Sequence, residues 1–403
     1  MDITKDNWKR KFMMLWTGQA ISIFTSSVIQ MAIVWYLTDI TASAAVLTLA
    51  TLLGFLPQAV LGPFTGVLID RYNRKKIMII SDVFIAGALM VLVIVGFLGE
   101  IPIWLIMVVL FARAIGTTFH APTLQAVTPL IVPKEHLTRC AGYSQTFQSV
   151  SYLFSPAVAA VLYGVMEINM IFLFDIGGAF IAVLAVALIR IPAQRKATSS
   201  KTSNVLGEAK EGFLVLRREP GMMALLFISM LYAIIYFPIG TLYPLISMSY
   251  FGGSVGHSSI IEIGSSLGAL IGAVILGRFG DRINKVGAIR KSIAGMGIGL
   301  VATGLLPPTG IKIFLILAFF MGITIPFYHG VLNSIYQIKI SEEYLGRIFS
   351  LTSSLTKLAM PLGLILTGAF AEIIGVNRWF FISGVLTLII AMVAYMMPSL
   401  RKI

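Results

Sequence analysis

Apolar runs of about 18 residues or more recur along the whole chain, each long enough to cross the roughly 30 Å hydrocarbon layer of a bilayer. This feature constrains the fold class before any motif is read. Charged residues make up 12% of the 403 positions and hydrophobic ones 58%, whereas a soluble domain carries roughly 25% charge. So few charges do not cover the surface of a water-soluble chain of this length. The pattern predicts an all-α membrane protein with twelve transmembrane helices in two six-helix bundles. The first six lie near 12–37, 44–69, 77–98, 101–122, 140–165 and 168–191; the second six lie near 222–250, 258–279, 288–306, 311–338, 347–373 and 378–398. The first run, Phe12–Leu37, is too long for a signal peptide and lacks a small-residue cleavage site, so it reads as a spanning helix.

The net charge of +13 does not form a nucleic-acid patch, because the basic residues sit in every second loop. With the N-terminus placed in the cytoplasm, all of the 30 Lys and Arg but four fall in cytoplasmic tails and loops. The exceptions are Lys312 and Arg378 in outer loops, and Arg113 and Lys357 within spans. The positive-inside rule predicts this asymmetry, so both termini are expected on the cytoplasmic side of the cell membrane. The single Cys140 excludes an intramolecular disulfide and a cysteine-based metal site. The longest polar stretch, Pro192–Pro220, reads as a linker that ends in a short surface helix. It separates an N-terminal bundle (1–191) from a C-terminal one (221–403).

The two halves echo each other. Gly66-x-x-x-Asp70-Arg71-x-x-Arg74-Lys75 follows the second helix, and Gly277-x-x-x-Asp281-Arg282-x-x-Lys285 follows the eighth, 211 residues later. A second echo follows helices four and ten, where Pro133-Lys-Glu135-His-Leu137-Thr-Arg139 matches Ser341-Glu-Glu343-Tyr-Leu345-Gly-Arg347, 208 residues on. Parallel six-helix repeats about an axis along the membrane normal are a known transporter plan.

The Gly66 motif resembles the helix 2–3 loop signature of the major facilitator superfamily, and that resemblance covers the whole chain. The usual form has a glycine where this chain has Asn73, and asparagine also tolerates the left-handed backbone of a tight turn. A closer resemblance is to bacterial macrolide-efflux proteins, a drug/proton antiporter branch. It is carried by Trp16–Ala20, Leu53–Pro57 running into Gly66–Met78, Arg113–Gly116, Thr138–Gln145, Ser155-Pro156 and Tyr344–Ser350. The resemblance implies alternating access, a small-molecule drug cargo, a bilayer as surroundings and a proton gradient as the drive.

The loop motif has a physical logic. Gly66, lacking a side chain, lets two helices approach. Asp70 ends a helix and can sit against the positive end of a neighbour, and Arg71 and Arg74 can reach carboxylates or carbonyl ends. Gly66, Asp70, Arg71 and Arg74, with Gly277, Asp281 and Arg282 in the second copy, therefore form a candidate latch; the alternative is that the basic residues only set topology.

Charges inside spans are expensive and face a cavity or a partner. Arg113 falls at the position that the resemblance links to proton coupling. Arginine stays protonated, so its expected role is to tune a carboxylate, or else to hold helices together by hydrogen bonds. Asp39 reads as a solvated helix end. Asp82, Asp175 and Glu262 are the candidate proton carriers, and Glu262 is favoured because helix eight borders the cavity in the family. For Asp82 and Asp175 the competing role is pairing with a neighbour. Lys357 reads first as a structural partner, and His120 and His329 read as polar packing groups.

In helix one, Gln19, Ser22, Ser26 and Gln30 recur three or four apart and form a polar stripe. Tyr232, Tyr236 and Tyr243 fall on roughly one face of helix seven, and helix ten offers Phe327, Tyr328, Asn333 and Tyr336. By resemblance, helices one, four, seven and ten line the cavity. Gln19, Ser22, Ser26, Gln30, Tyr232, Tyr236, Tyr328 and Asn333 are thus candidate cavity residues for a bulky amphipathic ligand; ordinary helix packing is the competing reading.

No P-loop, His-Glu-x-x-His or nucleophile elbow occurs, so neither an enzyme nor a directly ATP-driven pump is expected. No cofactor or metal is implied. The residues are compatible with a chain working alone or with a separate ATP-binding partner protein. Two exporter readings remain: a macrolide/proton antiporter, and an exporter of another amphipathic cargo such as a siderophore or lipophilic metabolite. An intramembrane enzyme or scaffold is disfavoured.

Overall fold

The computed structural model describes residues 8–133, 136–191, 213–279, 282–340 and 342–402, with some side chains inside the helices outside that description. Among the described residues twelve long helices and no strands are found. They are α1 (Trp8–Thr41), α2 (Ala44–Arg71), α3 (Arg74–Leu98), α4 (Ile103–Ile131), α5 (Leu137–Val165) and α6 (Ile168–Leu188). The second set is α7 (Met222–Thr241), α8 (Val255–Phe279), α9 (Lys285–Leu305), α10 (Ile311–Lys339), α11 (Glu342–Ile374) and α12 (Val376–Met396).

Ten of the twelve contain a stretch long and apolar enough to span a membrane. The other two are α5, whose described apolar stretch is Val150–Val165, and α9, which carries Lys285, Arg290 and Lys291 in its first two turns. The chain forms two compact units: residues Met1–Leu37 with Ala50–Ser199, and Thr38–Leu49 with Ser200–Ile403. In the second unit Glu372 of α11 holds the first turn of α2, accepting from Ser43 Oγ at 2.8 Å and from the Ala45 amide at 3.1 Å. A carboxylate at that positive helix end is favourable.

The internal repeat is visible in the helix bounds. The 29-residue α4 at Ile103–Ile131 recurs as α10 at Ile311–Lys339, and the 21-residue α6 at Ile168–Leu188 recurs as α12 at Val376–Met396. Both pairs are offset by 208 residues. In the first unit α3 packs against α4 and α6, and in the second α9 packs against α10 and α12. Elsewhere in the second unit α8 crosses α10 so closely that a Cβ on Gly268 would collide with the Phe319 carbonyl. Small residues permit such approach, which dispersion contacts then stabilise.

Three local expectations change. Asn73 is not left-handed: its φ of −66° and ψ of 111° are extended, and its side chain accepts from the Lys76 amide as the N-cap of α3. Asn284, the matching residue of the repeat, caps α9 in the same way at φ −67° and ψ 112°. Asparagine therefore stands at both places because it satisfies an orphan helix donor. Helix seven is not continuous over 222–250. It ends at Thr241, and a short turn at Tyr243–Leu245 leads into a π-helical turn at Ile246–Tyr250, closed by the Phe251 amide on the Ile246 carbonyl at 3.0 Å. Pro244 has no N–H for the carbonyl one turn earlier, and the break falls there. Helix four does not stop at Pro122. It runs on to Ile131, with Thr117, Thr118, Thr123 and Thr128 hydroxyls bonding back to carbonyls four residues before them. None of these four hydroxyls reaches the Thr118 or Gln125 carbonyl, one turn before Pro122 and Pro129, so they do not replace the bonds that the prolines remove.

Replacing an asparagine N-cap by alanine costs about 1 kcal/mol. Asn73→Ala and Asn284→Ala are expected to lower the unfolding midpoint in detergent by similar amounts and additively, because the caps belong to different units, whereas Asn73→Asp keeps most of the stability. Scanning calorimetry of the purified variants checks this.

Candidate functional site

The interior of the first unit holds a charged network. Arg113, at mid-length in α4, donates from Nη2 to Oδ2 of Asp175 on α6 at 2.9 Å. The other carboxylate oxygen, Oδ1, accepts from Thr25 Oγ1 at 2.9 Å and from Ser26 Oγ at 2.8 Å, both on α1. Arg113 is 8% exposed and Asp175 2%, so the pair is almost fully out of solvent. Close helix contact makes the network possible. Gly178 lies against the Thr25 side chain, and Gly18 lies where a Cβ would be 2.5 Å from that of Ala185. Bulk at either glycine would push α1 off α6 and separate the hydroxyls from the carboxylate. Arg113 is a donor only, so Oδ2 accepts from it, while the one Thr25 hydroxyl hydrogen is shared between Asp175 and the Ser22 carbonyl 3.1 Å away.

A second buried pair lies on the neighbouring surface. Nε2 of His120 on α4 is 3.3 Å from Oδ1 of Asp82 on α3. Its geometry is looser: neither Nε2 nor the second Asp82 oxygen makes a hydrogen bond. Of the polar stripe on α1, Gln19 is fully buried with both amide atoms lacking hydrogen-bond partners, Ser22 is half-buried, Ser26 joins the Asp175 network, and Gln30 is exposed. The four residues therefore do not share one environment. Thr25, outside the stripe, completes the network, and only the position of Asp175 reveals its role.

The second unit is aromatic where the first is ionic. Tyr232 and Tyr236 on α7 stack with ring centroids 5.2 Å apart, and Tyr232 meets Tyr328 of α10 at 4.5 Å. Tyr243 leaves this group. Beyond the break in helix seven it meets Phe314 and Phe380 instead. Asn333, His329 and Lys357 are exposed, and Tyr336 is buried. Glu262 is half-buried on α8 with no hydrogen bond or ion pair among the described residues, within electrostatic reach of Tyr243. The 208-residue repeat places Met321 opposite Arg113, Ser383 opposite Asp175 and Tyr328 opposite His120. The 211-residue offset places Ile293 opposite Asp82. Met321, Ser383, Tyr328 and Ile293 are all buried, so the ion pairs of the first unit have no counterpart in the second.

In the loop motif, Gly66, Asp70 and Arg71 lie in the last turns of α2, with side chains outside the described set, and Asp281 lies outside the described residues. Arg74 donates from Nη1 to the Ala126 carbonyl near the end of α4 at 2.7 Å. Lys75 donates to the Ala187 and Ile189 carbonyls at the end of α6 at 2.6 and 2.9 Å. Cations on the negative ends of helices are favourable. The second unit repeats the device from a shifted position, with Arg290 Nε donating to the Ala394 carbonyl of α12 at 2.9 Å. Arg282 is exposed, and a Cβ on Gly277 would meet nothing within 4 Å. The close-approach role argued for Gly66 therefore does not extend to Gly277.

The Major Facilitator Superfamily model matches residues 15–363 and 225–402. The chain belongs to the major facilitator superfamily. It is a multi-pass membrane transporter, similar to Macrolide efflux protein A of Streptococcus pyogenes at 53% identity over 398 residues, 99% of this chain and 98% of that protein. It is also 52% identical to Macrolide efflux protein A of Enterococcus faecalis over 322 residues, 80% of this chain and 99% of that protein. Among solved structures, the nucleoside transporter NupG matches with a TM-score of 0.76 and 14% identity, covering 96% of this chain and 98% of that one. That likeness concerns the fold.

Removing one member of a buried ion pair costs about 3–5 kcal/mol, whereas replacing both members is often close to neutral. Arg113→Met and Asp175→Ser, the residues that the second unit uses at these places, are each expected to lower the unfolding midpoint sharply in purified protein. The double variant recovers most of the loss. A double variant no more stable than the worse single one would refute the pairing.

Proposed function

We propose that this transporter exports macrolide antibiotics from the cell in exchange for protons, by alternating access. The observation that carries the cargo is the 53% identity to Macrolide efflux protein A across 99% of this chain. Family membership supports rocking of the repeated halves as the mode of transport. The absence of a P-loop in the sequence favours an ion gradient as the drive. One charge moved across about 100 mV supplies roughly 2.3 kcal/mol.

In this reading the basic residues of alternate loops place both termini on the cytoplasmic side of the cell membrane. The Gly66-to-Arg74 motif and its second copy act as the latch of one conformation, and Arg74 supports this by bridging to a helix end. The stacked Tyr232, Tyr236 and Tyr328 of the second unit offer apolar faces and hydroxyls to a bulky amphipathic drug. Arg113, Asp175, Asp82 and Glu262 are the intramembrane charges available for coupling.

Expression in a macrolide-sensitive bacterium tests the reading. Inhibitory concentrations are expected to rise for macrolides and stay unchanged for unrelated drugs, and a protonophore is expected to abolish cellular macrolide efflux. Protection against other amphipathic compounds without macrolide protection would point to a different cargo on the same fold.

A further inference from the structure

We infer that the buried pair of Asp82 and His120 is where the first unit takes up and releases the transported proton, while the Arg113–Asp175 pair stays closed; this rests on the antiport reading above. The two pairs differ in what a proton does to them. Arg113 keeps its charge under all physiological conditions, so a proton added to Asp175 would leave a buried guanidinium unpaired. A proton added to His120 does the opposite. It converts a pair with net charge −1 into a neutral one. A neutral His120 accepts the proton from water at Nε2 and faces the Asp82 carboxylate as an imidazolium. Release of the same N–H proton to water on the other side restores the starting state, and no other bond changes.

The geometry supports this division. The Asp175 carboxylate accepts on both oxygens, from Arg113, Thr25 and Ser26. The 3.3 Å approach of His120 to Asp82 makes no hydrogen bond, and the outer Asp82 oxygen has no partner although Asp82 is only 4% exposed. Such an under-satisfied carboxylate and imidazole leave room for a proton to come and go.

Among the described residues the helices packed most extensively against α3 are α4 and α6. Their titratable groups are His120 and Arg113 on α4 and Asp175 on α6. On α3 itself Arg74, Lys75 and Lys76 stand at the first turn, with Arg74 and Lys75 spent on helix-end carbonyls. Arg113 lies seven residues before His120 on the same face of α4, about 10.5 Å along the axis, and its Nη1 has no hydrogen-bond partner. Between them at Gly116 a Cβ would come within 2.5 Å of Ile85 Cγ1. The two helices are therefore in direct contact, and attraction that switches on with protonation bears on how α3 sits against α4.

The experiment uses the full chain in proteoliposomes, reading accumulation of a radiolabelled macrolide under an imposed pH gradient and macrolide counterflow at equal pH. The variants are Asp82→Asn, His120→Gln and His120→Arg, the last keeping a permanent cation opposite Asp82. Wild type is expected to do both. The variants are expected to keep counterflow, lose gradient-driven accumulation and show a flat pH profile. Gradient-driven accumulation by His120→Arg with the wild-type pH profile would overturn the inference, as would loss of counterflow in all three variants, which would assign the pair to the fold. A wild type that performs counterflow but ignores the pH gradient would defeat the proton-antiport reading itself, and this inference with it. A cargo-independent arm follows the four histidines by NMR in isotope-labelled protein, with His120 assigned by its missing signal in His120→Arg. A His120 signal that titrates in wild type and changes in Asp82→Asn is expected; one that never titrates would overturn the inference whatever the cargo.

Discussion

The salt bridge between Arg113 and Asp175 sets the terms for the first unit, because an unpaired charge in a membrane interior is too costly to keep. The arginine fixes where α4 meets α6, and the carboxylate then needs donors for its remaining lone pairs. Thr25 and Ser26 supply them from α1, which reaches α6 only because Gly18 and Gly178 carry no side chain. One electrostatic requirement thus explains why three helices meet at one depth, why small residues stand at their crossing, and why two adjacent hydroxyls point at the same oxygen.

The second unit shows what the same packing plan looks like without that requirement. Helices α10 and α12 repeat α4 and α6 in length and spacing, yet Met321, Ser383, Ile293 and Tyr328 replace the two ion pairs with neutral contacts. The aromatic group of Tyr232, Tyr236 and Tyr328 then occupies the second unit's interior. The two units thus share a scaffold, with buried ion pairs in the first and stacked aromatic rings in the second.

Much of this architecture was legible from the residues. Apolar length identifies ten of the twelve helices, and two short patterns at nearly one offset reveal the repeat, because both follow from local chemistry. The contacts were harder to read. Asp175 and Asp82 were recognisable as groups that need partners, but Arg113 and His120 lie 62 and 38 residues away in sequence from them, and only helix packing chooses between candidate cations. Thr25 was hidden because a membrane helix has many hydroxyls and most bond back to their own backbone. Asn73 misled because asparagine suits both a left-handed turn and an N-cap, and only φ distinguishes the two. The break in helix seven falls at Pro244, yet Pro122 and Pro129 in α4 do not end their helix. A proline alone therefore does not decide where a membrane helix ends.

Asp175 is the acceptor at which α1, α4 and α6 meet, held by Arg113, Thr25 and Ser26. Unfolding midpoints of purified Thr25→Val with Ser26→Ala, made in wild type and in Asp175→Asn, test this directly. The paired hydroxyl changes are expected to lower the midpoint in wild type and to add little in Asp175→Asn. Hydroxyl changes that cost as much in Asp175→Asn as in wild type would contradict it.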